Sequence, residues 1–196
     1  MFPLLYLASN SPRRSSILTK FGLDHRIILH SFDENSLIFE QSPSSRAFVR
    51  ELSKQKALSI NTPYSSWILT ADTCVVFQDR LLGKPSSLNE ACHFLDTLQG
   101  HTHVVLTAFC LYHQQQQRLI QHVRSSQVTF NSLTRTQIEH YVYSKKPLDK
   151  AGAYGIQECP LFFIKKYTGS KYTIIGLPIY TVLAAIKRIQ SDSHSL

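Results

Sequence analysis

The sequence predicts an α/β protein built on a mixed sheet. Two observations carry that prediction. Short apolar runs of strand length alternate with segments whose apolar residues recur every three to four positions. Near the middle, His103–Tyr112 is apolar enough for a central strand, Gln114–Gln117 reads as a hairpin tip, and Leu119–Phe130 reads as the returning strand. At 196 residues the chain is one domain, or one domain with two lobes, with enough length to bury a substantial core.

The chain opens on a strand, Leu4–Leu7, followed by the polar turn Ala8-Ser9-Asn10. Ser11 and Pro12 then suit the N-cap and first position of a helix. Ile17, Leu18 and Phe21 supply its apolar stripe, and Gly22 sits where a C-terminal cap belongs. Arg13, Arg14 and several hydroxyls therefore arrive at the positive end of a helix, a place that attracts anions.

Arg26–His30 reads as a second strand, ending at Ser31-Phe32-Asp33-Glu34. Adjacent carboxylates there suit either a polar turn or a hard cation held through oxygen. Pro43–Ile60 reads as a helix, with Phe48, Leu52 and Lys56 at i, i+4 and i+8, so Lys56 shares the inward stripe. A lysine on that stripe either snorkels to the edge or reaches a phosphate.

Trp67–Ala71 is a strong strand running straight into Asp72-Thr73, and Cys74–Phe77 continues as a second strand or past a bulge. A carboxylate between apolar strand segments needs partners, which marks Asp72 as a functional candidate. Gln78–Arg80 is a turn, and Gly83-Lys84-Pro85 presents Lys84 on a constrained backbone. Ser87-x-x-Glu90 and Thr134-x-x-Gln137 are capping boxes. The first starts a helix with Leu88, Ala91, Leu95 and Leu98 on one face, closed by Gly100; the second starts one with Ile138, Tyr141 and Val142 inward. Pro147–Gln157 packs two glycines, a lysine and an aspartate into a short loop, as close approach to a ligand requires. Leu161–Ile164 and Tyr172–Ile175 read as the last strands, and Gly176-Leu177-Pro178 starts a helix to about Ile189. Residues 1–190 form the domain and 191–196 a polar tail.

Composition narrows the function. Hydrophobic residues make up 43% and mean hydropathy is −0.12, so no segment suggests a membrane span. Met1-Phe2-Pro3 opens straight into a strand without the pattern of a signal peptide. Four scattered cysteines without a CxxC read as reduced core thiols, which predicts the cytoplasm. The net charge of +8 favours an anionic partner, but no basic run with interleaved aromatics marks a nucleic-acid groove. His101-x-His103 lacks a third ligand and reads as non-metal.

Several of these segments, in order, resemble one known family. Leu7-Ala8-Ser9-x-Ser11-Pro12-Arg13-Arg14, Leu52-x-x-x-Lys56-Ala57, Ala71-Asp72-Thr73, Gly83-Lys84-Pro85, Asp149-Lys150-Ala151-Gly152-x-Tyr154-x-Ile156-Gln157 and Gly176-Leu177-Pro178 look like the motifs of the Maf nucleotide pyrophosphatases, also called septum formation inhibitors. Glu34 matches an acidic position of the same pattern. The chain departs from it at Ser53, usually alanine, and at Glu158, where many members have glycine.

The resemblance implies an elongated central sheet with flanking helices and two lobes around a deep substrate cleft, Maf/ITPase-like. It implies cleavage of a nucleoside triphosphate to the monophosphate and pyrophosphate with a divalent cation, Mg²⁺ or Mn²⁺. Asp72 is then the proton acceptor, Glu34 and Asp72 contact the metal, and Lys56 and Lys84 join them in catalysis. Ser9, Arg13, Arg14, Thr73 and Gln157 are the substrate-binding residues. Arg13, Thr73 and Gln157 together resemble the branch acting on dTTP and UTP rather than the one acting on 7-methyl-GTP. Partners beyond the nucleotide are not implied: no membrane, no nucleic acid, with a homodimer left open. The rival class is a non-catalytic regulator of septum formation or a nucleic-acid binder.

Overall fold

The first strand, β1 (Leu5–Ala8), is buried at all four positions, as a strand in the interior of a sheet must be. Helix α1 (Pro12–Lys20) follows, then β2 (His25–Ile28), a 3-10 turn at Glu34–Ser36, helix α2 (Ser45–Leu58), β3 (Trp67–Phe77) and the short β4 (Arg80–Leu82). Helix α3 (Leu88–Leu98), the long strands β5 (Thr102–His113) and β6 (Arg118–Phe130), and α4 (Arg135–Lys145) come next. Two 3-10 turns, Ala151–Ala153 and Leu161–Phe163, precede β7 (Ile164–Thr168), α5 (Lys171–Ile175) and α6 (Ile179–Ser193). The computed structural model describes residues 4–61 and 66–193. The opening Met1-Phe2-Pro3 and the tail from His194 onward lie outside the described residues.

The sheet has seven strands in the order β2-β1-β3-β5-β6-β7, with β4 paired to β3. It is mixed: β1 runs parallel to both β2 and β3, whereas β4 is antiparallel to β3 and β7 to β6. The predicted α/β class and mixed sheet are therefore present.

The chain divides into two compact units. One comprises Met1–Asp72, Thr107–Arg124 and Gly176–Leu196; the other comprises Thr73–Leu106 and Ser125–Ile175. The first unit buries Tyr6, Ala8, Ala57, Ile60, Ile68, Cys110 and Tyr112 together. The second has an aromatic centre. Phe130 lies 4.9 Å from Tyr154 and 6.3 Å from Phe163, ring centre to ring centre, and Tyr141 lies 5.1 Å from Phe163.

Several local rules work as predicted. Thr134 and Gln137 form the reciprocal capping box of α4. At α3 only half of the box forms. Ser87 accepts from the Glu90 N–H, but the Glu90 carboxylate accepts instead from the backbone N–H and hydroxyl of Ser86, which holds that carboxyl below its usual range. The expectation of a second strand after Asp72-Thr73 is corrected: Trp67–Phe77 is one continuous strand of 11 residues.

Two predicted strands are corrected. Leu161–Phe163 is a 3-10 turn that follows Pro160, and the Phe163 N–H bonds the Pro160 carbonyl. The strand begins one residue later, at Ile164. Tyr172–Ile175 is helical, because the Ser170 carbonyl accepts from both Thr173 and Ile174. The β-branched run Thr-Ile-Ile favours a strand, but Gly169, with φ +87, turns the chain just before it, and the context overrides propensity. The last helix also runs beyond Ile189, into the first residues of the predicted tail.

Candidate active site

In the first unit, β1 delivers the chain to the turn at Ser9–Ser11, and Pro12 opens α1. Ser11 stands at the N-cap, but its side chain makes no capping bond to the helix. Ser9 is the buried hydroxyl of the turn. Its Oγ accepts from the Ser11 N–H at 3.2 Å and from Arg14 Nη1 at 2.9 Å. Arg14 Nε donates to the Gly176 carbonyl at 2.8 Å, so the first and last motifs are joined across 162 positions of sequence. Burial pushes the Arg14 guanidinium down from its ordinary value, and the charge of Asp72 acts in the opposite sense. A guanidinium stays protonated regardless. Arg13, next to it on α1, is half-buried.

Helix α2 is capped by Ser44, whose hydroxyl accepts from the Ala47 N–H. Its inward stripe of Phe48, Leu52 and Lys56 is buried as the spacing predicts. Ser53 is fully buried and donates its hydroxyl to the Arg50 carbonyl at 2.8 Å, so this polar group is satisfied within its own helix. Lys56 does not snorkel outward. Its Nζ donates to Asp72 Oδ2 and sits 2.9 Å from Glu34 Oε1. The Lys56 side chain is 6% exposed, Asp72 13% and Glu34 38%, so Glu34 is the open edge of the cluster.

The adjacent carboxylates at the 3-10 turn after β2 divide their roles. Asp33 caps the 3-10 turn, accepting from the Asn35 N–H at 3.0 Å, while Glu34 faces Lys56. His30 stands beside them, with Nε2 4.0 Å from Glu34 Oε1. Its Nδ1 is buried and, among the described residues, makes no hydrogen bond. Burial first, then the charge of Lys56, pushes the His30 imidazole down, with Glu34 and Asp72 opposing. His30 escaped the sequence reading. A histidine ending an apolar strand carries no spacing signal of its own.

In the second unit, Thr73 is half-buried on β3, next in sequence to Asp72. Further along β3, Val75 pairs with Leu82 of β4, and β4 leads into Gly83-Lys84-Pro85. The Gly83 carbonyl accepts from the Gly152 N–H at 3.0 Å. Gly152 has φ +67, and a Cβ there would lie 2.8 Å from a Val75 methyl, so this glycine is required for both conformation and space. The next residue, Ala153, shares the left-handed conformation at φ +61, which disfavours a side chain. These bonds tie the turn bearing Lys84 to the loop bearing Gln157. Lys84 and Gln157 are both exposed.

Gln157 lies in a tight turn, in which the Gly155 carbonyl accepts from the N–H groups of Glu158 and Cys159, both at 2.9 Å. Two buried tyrosines anchor the approach to it. Tyr141 Oη accepts from the Gly155 N–H at 3.3 Å, and Tyr154 Oη bonds His103 Nε2 at 2.7 Å. Burial raises both phenols and holds the His103 imidazole down at about 4. His103 is thus a partner of a loop tyrosine. Lys150 of the same loop is buried between two carboxylates, a role the sequence reading did not assign.

The first unit therefore gathers Ser9, Arg14, Glu34, Lys56 and Asp72, and the second carries Thr73, Lys84 and Gln157 on mutually bonded segments. The class is an α/β protein with a carboxylate–lysine–carboxylate cluster beside an arginine-bearing helix start.

The pattern of the Maf-like protein family matches residues 4–189. A dTTP/UTP pyrophosphatase of Halalkalibacterium halodurans is 39% identical over 188 residues, covering 95% of this chain and 96% of the relative. One of the same name from Chlamydia caviae is 40% identical, covering 93% and 92%. A nucleoside triphosphate pyrophosphatase of Haemophilus ducreyi is 38% identical and covers 98% of both chains. The chain belongs to the Maf-like family.

Proposed function

We propose that this chain is a nucleoside triphosphate pyrophosphatase that hydrolyses dTTP and UTP. Water adds to the α-phosphorus, the bond to the bridging α–β oxygen breaks, and the products are the nucleoside monophosphate and pyrophosphate. One observation carries the reading: a strand-interior carboxylate, Asp72, and Glu34 share one buried ammonium, Lys56. The names of the relatives support the same chemistry and substrates.

Asp72 takes the proton of the attacking water. Lys56 holds that carboxylate in place and offers positive charge where anionic oxygens gather. Arg14, already fixed by Ser9 and the Gly176 carbonyl, presents its remaining charge to phosphate oxygens together with the start of α1. Lys84 supplies a further cation to the phosphates. Thr73 and Gln157, with Arg13, read the base; the Gln157 amide has the donor and acceptor that a uracil or thymine edge needs.

The donor set fits a divalent cation. Among the described residues no group of three or more His, Cys, Asp and Glu is arranged as a metal cage. Mg²⁺ is ordinarily held by one or two carboxylates plus substrate phosphates, which Glu34 and Asp72 can provide. When bound, such a cation offsets charge on the phosphates and on the departing pyrophosphate.

A cytosolic setting is supported by four unbridged cysteines, and no helix of the described residues is long and apolar enough to cross a membrane. A pyrophosphate-release assay across dTTP, UTP, ATP, GTP and 7-methyl-GTP tests the function. The expected result is dTTP and UTP well ahead in kcat/KM, and Gln157→Ala eroding that preference more than it weakens phosphate binding. A purine at the head of the ranking overturns the substrate assignment. No release from any nucleotide overturns the catalytic reading in favour of a non-catalytic regulator.

A further inference from the structure

We infer that Lys150 and Glu158 form a latch that positions Gln157 for base recognition. Lys150 lies in the loop of the second unit with its side chain only 8% exposed. Its Nζ is 2.8 Å from Asp149 Oδ1 and 3.0 Å from Glu158 Oε2. Gln157 is the residue before Glu158, so the ion pair grips the turn immediately beside the amide that reads the base.

Three further features show that this grip is built into the loop. Gly155 has an unremarkable φ, but a Cβ there would lie 3.0 Å from Lys150 Cε and 3.2 Å from Cδ. The glycine is therefore the space through which the lysine stem passes. The Gly155 carbonyl then closes the turn by accepting from the Glu158 and Cys159 N–H groups. Behind it, Tyr141 Oη receives the Gly155 N–H. With Lys150 on one side and Tyr141 on the other, the turn has fixed ends, and a glutamine held this way loses less rotational and backbone freedom on meeting a base.

Lys150 and Glu158 are positioning residues here, since neither is assigned a contact with the nucleotide. The inference rests on the reading of Gln157 as the base-reading residue.

The test uses the full-length enzyme with Glu158→Gly, Lys150→Met, the double variant and Gln157→Ala. Two readouts are taken: the ratio of kcat/KM for UTP over ATP, and hydrogen exchange at the amides of residues 158 and 159. Each latch variant is expected to lower the ratio about three- to tenfold, through KM rather than kcat, and to speed exchange at both amides. The double variant is expected to be no worse than the worse single variant, because the two groups act as one unit. Unchanged exchange in both single variants overturns the latch outright, whatever the kinetics. Faster exchange with an unchanged ratio, while Gln157→Ala collapses it, overturns the role in recognition and leaves the Gln157 reading standing. An unchanged ratio in Gln157→Ala overturns that reading and the recognition role with it, and exchange then decides the latch alone.

Discussion

Two buried lysines invite comparison. Lys56 and Lys150 each sit between two carboxylates, with side chains 6% and 8% exposed. The partners of Lys56 come from far apart in sequence: Glu34 from the 3-10 turn after β2, and Asp72 from the middle of β3. Those of Lys150 are its neighbour Asp149 and Glu158, eight positions on within the same loop. The carboxylates around Lys56 are 38% and 13% exposed, those around Lys150 are 38% and 56%. A cluster assembled by the whole unit, with Asp72 largely withdrawn from water, is suited to chemistry. One assembled locally, with its acids in water, is suited to shaping a loop.

The largest expected break is at the chemistry. Asp72→Asn preserves shape and removes the proton acceptor, and is expected to lower kcat by roughly 10²–10⁴-fold with the fold retained. Near-normal turnover by a folded Asp72→Asn protein would refute the assignment.

Stability should separate the two lysines next. Lys56→Met leaves two facing carboxylates, one largely buried, without their shared cation, at a cost of about 3 kcal/mol. Lys150→Met leaves two acids that water already reaches, at a cost of about 1 kcal/mol or less. Urea unfolding of the two variants checks this, and equal losses would erase the distinction drawn here.

Acid should act on the second unit. His103 is buried and neutral, with its pKa lowered to about 4, against about 6.5 when unfolded. Its stabilising contribution is complete above about pH 6.5. As pH falls from there toward 4 the unfolded chain binds the extra proton and stability drops, by roughly 3 kcal/mol at most. Unfolding free energies between pH 7 and 4 are expected to show this slope, and His103→Gln is expected to flatten it. A slope unchanged by that substitution would place the acid sensitivity elsewhere.

Much of this was legible in the sequence where the cause is local. The inward position of Lys56 follows from Phe48 and Leu52 at helical spacing, and the start of α4 from Thr134 and Gln137. Asp72 stood out because an acid in an apolar strand needs a partner. What that partner is depends on α2 lying across β3, and no spacing in the sequence encodes it. The last β-strand was misplaced for a related reason: Leu161, Phe162 and Phe163 have strand propensity, but the Pro160 carbonyl closes a turn over them, and Leu161 is left 98% exposed. His30 and Lys150 went unassigned because their importance lies in distances to other side chains.

Gly155 has a consequence for how this loop can evolve. Its missing side chain is matched to the bulk of another residue, since the Lys150 stem fills the volume that a methyl would take. Residues 150 and 155 therefore exchange volume, and their substitutions should be inherited together. Where position 150 shortens, position 155 is released from glycine. Where the lysine stays, even alanine at 155 must force the stem aside. A drifting population of such genes is therefore expected to shorten position 150 before, or together with, any gain of a side chain at 155.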